Sequence, residues 1–477
     1  MSVPGPDART GEVLRTTVNS FDLFDTLLVR RALVPTRVFE DVERATGARG
    51  FAQARVAAER ALIARDQPYG LAAIYAEMVR LGHCDEATAF TLQQAEIEAE
   101  FDHALPITEN LARVADNDLV VSDMYLPPDL LRRLLRHVGL QRHVNVVASN
   151  AGKHKGTIWA GLGERWLIRR HTGDNAHADV ALPRSLGIPA VHYANSQPSQ
   201  IEQLLAAHGQ LELAGIVRAL RLSCPHPDTS QDGQLWQLAV QLNLPLLCLV
   251  AGALAPHAAA RGLSPILFSA RDCYQLSDIF GALFPTVASE YAYVSRRALR
   301  ENPAGVAGLL QRAGPAALVV DIASTGHSWY GLAEAHRIPV NLLALVRVDQ
   351  HAYAHNATQA QLDASAFLSF GCLLRNSEFQ DYSNAIEVLN TAPHGSTQNL
   401  PAGPGHVAPE LAPGHELPAA VVAAVERAHR AALVLVRKSA RRLREELPPH
   451  PDRQLLISLL QAISTNPQLR EIGKVLT

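Results

Sequence analysis

The chain has 477 residues, of which 48% are hydrophobic and 19% are charged. This length and composition predict a folded protein of two or three domains and exclude a largely disordered chain. The formal net charge of −3 shows no basic excess, so we expect no nucleic-acid partner. The five cysteines form no C-x-x-C pair, which argues against a disulfide framework or a zinc site.

Nothing in the sequence predicts a membrane partner. Residues 1–15 are rich in Gly, Pro and Asp and lack the features of a signal peptide, so we expect a flexible tail. The longest apolar run, Leu244 to Ala255, is too short to cross a bilayer and predicts a buried helix. We therefore expect a cytoplasmic protein.

The first predicted element is a strand that ends in a carboxylate. Residues 18–29 read V-N-S-F-D-L-F-D-T-L-L-V, so Asp22 closes one apolar run. Parallel strands of α/β sheets place ligand-binding residues at this position, outside their carboxyl ends. The structural alternative for this stretch, taken alone, is a buried strand with a capping aspartate.

Helical and α/β patterns then follow in turn. From about residue 31 to 105, apolar residues recur every three or four positions, which predicts an all-helical insertion. Strands are then expected at 117–124, 144–150, 166–170 and 188–193, with helices between them. This alternation predicts a parallel, doubly wound sheet, and we expect the first domain to cover residues 16–205.

A second α/β domain is predicted over residues 206–395, after helical and polar connecting segments. A loop and C-terminal helices are predicted over residues 396–477. The fold class is therefore α/β, with a helical insertion in the first of two domains. The strands expected in the second domain are 265–270, 291–295, 317–322 and 341–346.

Polar residues follow the predicted strands of the first domain. Because parallel strands end at the same edge of a sheet, these side chains are expected to converge on one crevice. Each also has a purely structural interpretation, as a strand-end hydroxyl, a surface lysine or turn carboxylates. The residues are Asp22, Ser122, Asp123, Lys153, Asp174 and Asp179.

The crevice would suit phosphoryl transfer. Asp22 would attack a phosphoryl group and carry it as an aspartyl phosphate. Ser122 would donate to a phosphate oxygen, and Lys153 would neutralise charge on the nucleophile and the substrate. Mg²⁺ prefers oxygen ligands and would stabilise the developing charge. Its expected ligands are the carboxylates of Asp22, Asp174 and Asp179 and the backbone carbonyl of Phe24.

Residues 16–200 resemble the haloacid-dehalogenase-like (HAD) hydrolases. The resemblance rests on F-D-L-F-D-T-L-L, V-V-S-D-M, the lysine of S-N-A-G-K-H-K-G, and G-D-N-A-H-A-D, which occur in the order of the four family motifs. The helical insertion after the first motif resembles the C1 cap of that family. The resemblance implies a Rossmann-like core, Mg²⁺, and a cap that closes over a small phosphorylated substrate.

One position departs from the phosphatases of that family. Their first motif is D-x-D, in which the second Asp is the general acid/base, whereas here Phe24 takes that place and Asp25 follows it. Losing such an acid slows expulsion of a poor leaving group by about 10²–10⁴. Three interpretations stay open: Asp25 substitutes for it, the leaving group needs no acid, or the site binds phosphate without efficient turnover.

Charged residues of the helical insertion have two interpretations. Arg55 and Glu59 lie one helical turn apart and could form an ion pair, and Glu96 and Glu100 share that spacing as like charges. Such residues either face solvent or face the crevice and select the substrate. We favour the solvent-facing interpretation.

The second domain has a candidate phosphate loop in A-L-V-V-D-I-A-S-T-G-H-S-W. Small and hydroxyl residues before a helix can bind phosphate through backbone N–H groups. The stretch resembles the ribose-phosphate loop of type I phosphoribosyltransferases, although Val320 replaces the first acid of that motif. An ordinary capped helix start is the alternative. The residues concerned are Asp321, Ser324, Thr325, Gly326 and Ser328.

Arg271 and Asp272 follow an earlier strand of this domain, in F-S-A-R-D-C-Y-Q-L. They either bind a phosphosugar or nucleotide beside that loop or form a structural ion pair.

Three functions therefore remain open. The first is Mg²⁺-dependent phosphohydrolysis or phosphotransfer on a sugar phosphate or nucleotide. The second is glycosyl or phosphoribosyl transfer by the C-terminal domain, with the HAD-like domain as an auxiliary. The third is a non-catalytic sensor or scaffold that binds phosphorylated ligands.

Overall fold

The structure is a computed structural model that describes residues 15–66, 68–150, 152–349, 358–378, 384–401 and 408–476. The chain divides into two compact units, Met1–Gln197 and Pro198–Thr477. This division lies eight residues before the predicted boundary at 205. Most of the predicted N-terminal tail, residues 1–14, lies outside the described residues.

Within its described residues, unit 1 contains seven strands and eight α-helices. The strands are β1 (Thr16–Phe21), β2 (Leu28–Arg30), β3 (Ala104–Pro106), β4 (Leu119–Asp123), β5 (Asn145–Ser149), β6 (Trp166–Gly173) and β7 (Ala190–His192). The helices are α1 (Arg37–Thr46), α2 (Phe51–Ile63), α3 (Leu71–Arg80), α4 (Glu86–His103), α5 (Thr108–Leu111), α6 (Pro128–His137), α7 (Thr157–Arg165) and α8 (Leu182–Ser185).

A five-stranded parallel sheet forms the core of unit 1, in the order β5-β4-β1-β6-β7. This confirms the predicted α/β class with a parallel sheet. The chain moves from β1 outward through β4 to β5, and then returns to the other side of β1 for β6 and β7. The point where this direction reverses lies between β1 and β6, where open α/β sheets bind ligands.

The insertion after β1 consists of α1 to α4, as the sequence pattern predicts. The predicted end of the insertion is about residue 105; α4 ends at His103, and β3 begins at Ala104. β3 pairs antiparallel with β2, and this short ribbon carries the chain out of the sheet and back. We call α1 to α4 the cap.

The solvent-facing interpretation of the cap charges is wrong. Arg55 is fully buried and donates from Nε and Nη2 to both carboxylate oxygens of Glu96, at 2.7 and 2.9 Å. It also donates to Glu59 at 2.9 Å, which is the ion pair that the spacing predicts. Glu100 is buried as well and accepts two hydrogen bonds from Arg30. Each glutamate therefore has its own arginine, which removes the expected repulsion.

The part of unit 2 that the structure describes contains seven further strands and thirteen α-helices. The strands are β8 (Ile266–Phe268), β9 (Ser289–Tyr291), β10 (Leu318–Ser324), β11 (Val340–Arg347), β12 (Leu368–Arg375), β13 (Thr397–Asn399) and β14 (Glu410–Leu411). The helices are α9 (Gln200–Ala207), α10 (Leu211–Leu222), α11 (Gln231–Leu238), α12 (Leu244–Arg261), α13 (Tyr274–Leu283), α14 (Arg296–Glu301), α15 (Pro303–Ala313), α16 (His327–His336), α17 (Gln359–Asp363), α18 (Ala385–Leu389), α19 (Ala419–Glu446), α20 (Arg453–Thr465) and α21 (Pro467–Gly473).

A second parallel sheet organises unit 2, in the order β12-β11-β10-β8-β9. The strand predicted at 291–295 instead ends at Tyr291, because Tyr293 has a left-handed φ of 53° that interrupts an extended chain. β12 was not predicted from its L-S-F-G-C-L-L-R sequence, which does not alternate cleanly. In the predicted C-terminal helical region, α20 and α21 are separated at Asn466, before Pro467.

The most apolar helical segment of the described residues lies inside unit 2. By length and composition alone, the helical segment Gln231–Arg261 could cross a membrane. However, 83% of its most apolar 18-residue stretch is buried inside the protein. The run from Leu244 to Leu254 in α12 is entirely buried. This segment is therefore a core element, as the sequence predicts for its central part.

The paired cap charges generate a stability prediction. Replacing Arg55 with Ala leaves Glu96 buried without its bidentate partner, so we expect the free energy of unfolding in urea to fall by about 3–5 kcal/mol. Arg60 lies exposed on the same helix, and Arg60→Ala should change it by no more than about 0.5 kcal/mol. Equal, small effects of the two substitutions would contradict the assignment of Arg55 to the cap interior.

Candidate active site

Three carboxylates meet at the point where the sheet of unit 1 reverses direction. Asp22 follows β1, Asp174 follows β6, and Asp179 lies in the π-helical turn Ala176–Ala181 after β6. One oxygen from each lies within 4.8 Å of the others, so the group could hold a metal ion. Asp22 and Asp179 are buried, and Asp174 is partly exposed. The sequence analysis correctly predicted that these three carboxylates lie together.

Gly173 makes the close approach of Asp179 possible. It ends β6, and a Cβ at this position would collide with the side chain of Asp179. The backbone N–H of Asn175 donates to the same carboxylate at 3.0 Å, and the Asn175 side chain caps the π-helical turn. Gly173 and Asn175 of the G-D-N sequence thus allow and support the position of the Asp179 carboxylate.

Lys153 lies between two of the carboxylates. Its Nζ donates to Asp22 Oδ1 and forms an ion pair with Asp179 Oδ1 at 2.7 Å. Burial alone would lower the pKa of this lysine, but the carboxylates of Asp22 and Asp179 raise it above its ordinary value. Lys153 is therefore a permanent cation in the crevice, where the sequence prediction placed it.

The carboxylates differ in their proton affinity. Burial, followed by the nearby charges of Asp179 and Asp174, raises the pKa of Asp22 even though Lys153 opposes the shift. Burial also acts on Asp179, but hydrogen bonding from His171 and the charge of Lys153 lower its pKa to about 2. Asp179 is thus the carboxylate most firmly held in its ionised form.

His171 and Ser20 form a supporting pair that the sequence analysis did not identify. His171 Nε2 lies 3.0 Å from Asp179 Oδ1, and its Nδ1 lies 2.7 Å from Ser20 Oγ. Burial lowers the pKa of His171, so the neutral ring donates to Asp179 and accepts from Ser20. Such a partner fixes the orientation of a candidate metal ligand. The only sequence signal was a histidine inside an otherwise regular strand.

Asp123 anchors the loop that carries the lysine, a role that the sequence analysis did not assign. It accepts hydrogen bonds from the backbone N–H groups of Lys153 and His154, at 2.8 and 2.7 Å, and from Ser149 Oγ at 2.5 Å. Ser122, the preceding residue, is buried at the end of β4. The V-V-S-D-M stretch therefore places both the predicted hydroxyl and an anchor for Lys153.

Phe24, which stands in place of the second Asp of the D-x-D motif, packs against Arg30. The guanidinium of Arg30 lies 3.9 Å from the centre of the Phe24 ring, and Glu100 of the cap holds Arg30 in place. Residue 24 therefore contributes an aromatic surface that is covered by a cation. Its backbone carbonyl stays only a predicted metal ligand.

Asp25 lies beside the carboxylate group. Its φ of 58° is left-handed, a conformation that Asp adopts more readily than most residues, and its N–H donates to Leu28 O at 2.7 Å. Burial and then the charge of Asp25 raise the pKa of Asp174 to about 6. The tight turn after β1 thus brings the charge of Asp25 close enough to Asp174 to raise its pKa.

The cap contacts the crevice loops through Tyr125. Its hydroxyl donates to Glu96 at 3.0 Å, and its carbonyl accepts from Leu71 N–H at the start of α3. The guanidinium of Arg55 lies 4.7 Å from the centre of its ring. Tyr125 lies two residues after Asp123, the last residue of β4. Its contacts therefore connect the cap to the end of this strand.

The predicted residues of unit 2 lie at the carboxyl end of its own sheet. Asp321 and Ser324 belong to β10, Arg271 and Asp272 follow β8, and Thr325, Gly326 and Ser328 lie at the start of α16. Arg271 forms an ion pair with Glu416 rather than with Asp272. Gly326 has a left-handed φ of 79° and packs under Phe370, so a larger residue would clash there.

Comparison with protein families finds no family model that matches this chain, and comparison with curated proteins finds no similar sequence.

Proposed function

We propose that unit 1 is a Mg²⁺-dependent phosphohydrolase or phosphotransferase that acts on a small phosphorylated metabolite, such as a sugar phosphate or a nucleotide. The observation that supports this most strongly is the contact of Lys153 with Asp22 and Asp179 beside the third carboxylate, Asp174. This combination provides a nucleophile, a fixed cation and an oxygen-rich metal site in one buried crevice. We also propose that this enzyme uses HAD-like chemistry and is cytoplasmic.

The oxygen donor set fits Mg²⁺, which would be held by Asp22, Asp174 and Asp179. When bound, the metal supplies positive charge that favours the ionised carboxylates and stabilises charge on the transferring group. The protein residues supply the remaining functions. Lys153 binds substrate oxygens and stabilises the ionised Asp22, while His171 keeps Asp179 oriented.

In the proposed reaction, one oxygen of Asp22 attacks phosphorus and the bond to the leaving-group oxygen breaks. The phosphoryl group is then carried on Asp22 until water, or an acceptor hydroxyl, attacks phosphorus and restores the carboxylate. Ser122 at the end of β4 is the proposed donor to a phosphoryl oxygen. Asp25, beside Asp174, is the proposed source of the leaving-group proton, in place of residue 24.

The test of this proposal is phosphate release from a panel of sugar phosphates and nucleotides, with Mg²⁺ or with EDTA. We expect Mg²⁺-dependent release that Asp22→Asn abolishes, because the amide cannot act as the nucleophile. Asp129, an exposed aspartate of α6 that is 92% accessible, supplies the control Asp129→Asn, which should behave like the wild type. If no compound releases phosphate but phosphorylated ligands still raise the melting temperature, the enzyme proposal is contradicted. That result would favour a non-catalytic sensor that binds phosphorylated ligands.

The role of Asp25 predicts a dependence on the leaving group. At saturating Mg²⁺, Asp25→Asn should slow hydrolysis of an alkyl phosphate by about 10²–10⁴. Hydrolysis of p-nitrophenyl phosphate should change far less, since its leaving group departs without a proton. An equal loss for both compounds would contradict an acid role and would instead assign Asp25 to the carboxylate group as a whole.

A further inference from the structure

Lys153 lies on the connection between β5 and α7, whose described residues are 150 and 152–156. We call this segment the lysine loop. Asp123, at the end of β4, accepts hydrogen bonds from the N–H groups of Lys153 and His154. The core of unit 1 therefore holds the loop from the side of β4.

The cap contacts the lysine loop on both flanks of Lys153. Three residues before it, Asn150 Nδ2 donates to Tyr69 O at 3.3 Å. Two residues after it, Lys155 Nζ forms an ion pair with Asp66. Tyr69 and Asp66 both belong to the connection between α2 and α3. Both side chains of the ion pair are exposed, so its contribution to holding the loop is small.

The same part of the cap also contacts the core at Tyr125, two residues after Asp123. Leu71, where α3 begins, donates its N–H to Tyr125 O at 2.9 Å. Tyr69 Oη donates to Glu59 of α2 at 3.0 Å, which ties the α2–α3 connection to the cap interior. One segment of the cap thus contacts both the end of β4 and the lysine loop.

Glu96 of α4 strengthens the contact at Tyr125. It is fully buried and accepts from Tyr125 Oη at 3.0 Å, from Tyr75 Oη at 2.6 Å and from two nitrogens of Arg55. Hydrogen bonds to a carboxylate that is paired with a guanidinium are stronger than those between neutral groups. Tyr75 belongs to α3 of the cap, whereas Tyr125 comes from the core. The Tyr125 hydroxyl therefore links the cap interior to the end of β4.

We propose that the cap positions Lys153, and that Tyr125 and Asn150 are the positioning residues through which it does so. Asn150 acts on the lysine loop directly, and Tyr125 acts through the end of β4, which carries Asp123. When the cap moves away, both contacts break and Asp123 remains as the anchor. Lys153 is then held less firmly beside its two carboxylates.

In the proposed phosphoryl transfer, this arrangement couples enclosure of the substrate to the placement of a cation. Lys153 is fully in place beside Asp22 when the cap covers the crevice, which is when charge on the nucleophile and the substrate must be neutralised. This consequence rests on the function proposed for unit 1. The positioning itself can be measured without any substrate.

The test is hydrogen-exchange mass spectrometry on the full chain, read at the N–H groups of Lys153 and His154. Tyr125→Phe removes the hydroxyl that reaches Glu96 from the core, so exchange in the lysine loop should become about tenfold faster or more. Tyr75→Phe is the matched control, because it removes a hydroxyl donor to the same carboxylate from inside the cap. Exchange in the lysine loop should then stay within about twofold of the wild-type rate.

A second pair of variants tests the direct contact. In Asn150→Asp, a carboxylate oxygen would face the carbonyl of Tyr69 in place of the N–H donor, so exchange in the lysine loop should again become about tenfold faster. Asn145 begins the same strand and donates its side-chain N–H to Asn117 O of the core at 2.9 Å. Asn145→Asp is therefore the matched control and should leave exchange in the lysine loop unchanged.

Unchanged exchange in both Tyr125→Phe and Asn150→Asp would overturn the proposal. An equal rise in Tyr75→Phe would also overturn it, because it would indicate a general loosening of the cap. Phosphate release from the same proteins tests the catalytic consequence separately: kcat/KM should fall about tenfold in Tyr125→Phe and stay close to the wild-type value in Tyr75→Phe. Faster exchange in Tyr125→Phe, when even the wild type releases no phosphate, would support the positioning and contradict the function proposed for unit 1.

Discussion

The contact of one buried lysine with two buried carboxylates is the interaction on which the account of unit 1 depends. Lys153 lies between Asp22 and Asp179, Asp123 holds its loop at the end of β4, and His171 holds Asp179 from inside β6. Buried charges are costly unless they are paired and hydrogen bonded. The sheet, the lysine loop and the π-helical turn are therefore parts of one electrostatic arrangement.

The two units resemble each other in their sheets but have different charged side chains at the sheet ends. Each has a five-stranded parallel sheet whose direction reverses beside its first strand, and each collects ionisable residues at that point. In unit 1 the carboxylates of Asp22, Asp174 and Asp179 lie close enough to share a cation. In unit 2 no such group of three is found among the described residues, and Arg271 forms an ion pair with Glu416. The arrangement of charge, rather than the fold, distinguishes the ends of the two sheets.

The sequence predicted what depends on strand position and failed where partners come from distant segments. Asp22, Asp174 and Asp179 follow their strands, so the parallel sheet was sufficient to place them together. The burial of Arg55 could not be predicted, because its helical spacing to Glu59 says nothing about the face that α4 covers with Glu96. Asp123 and His171 were missed as supporting residues for the same reason, since their roles appear only when separate loops meet.

The most direct test of the account is chemical trapping of the phosphoryl group on Asp22. Wild-type protein would be mixed with Mg²⁺ and excess acetyl phosphate, quenched in acid during turnover and reduced with borohydride. Peptide mass spectrometry should then find homoserine at position 22, because the reagent reduces an acyl phosphate and leaves a free carboxylate unchanged. An unmodified Asp22, or modification at another residue, would contradict the central claim.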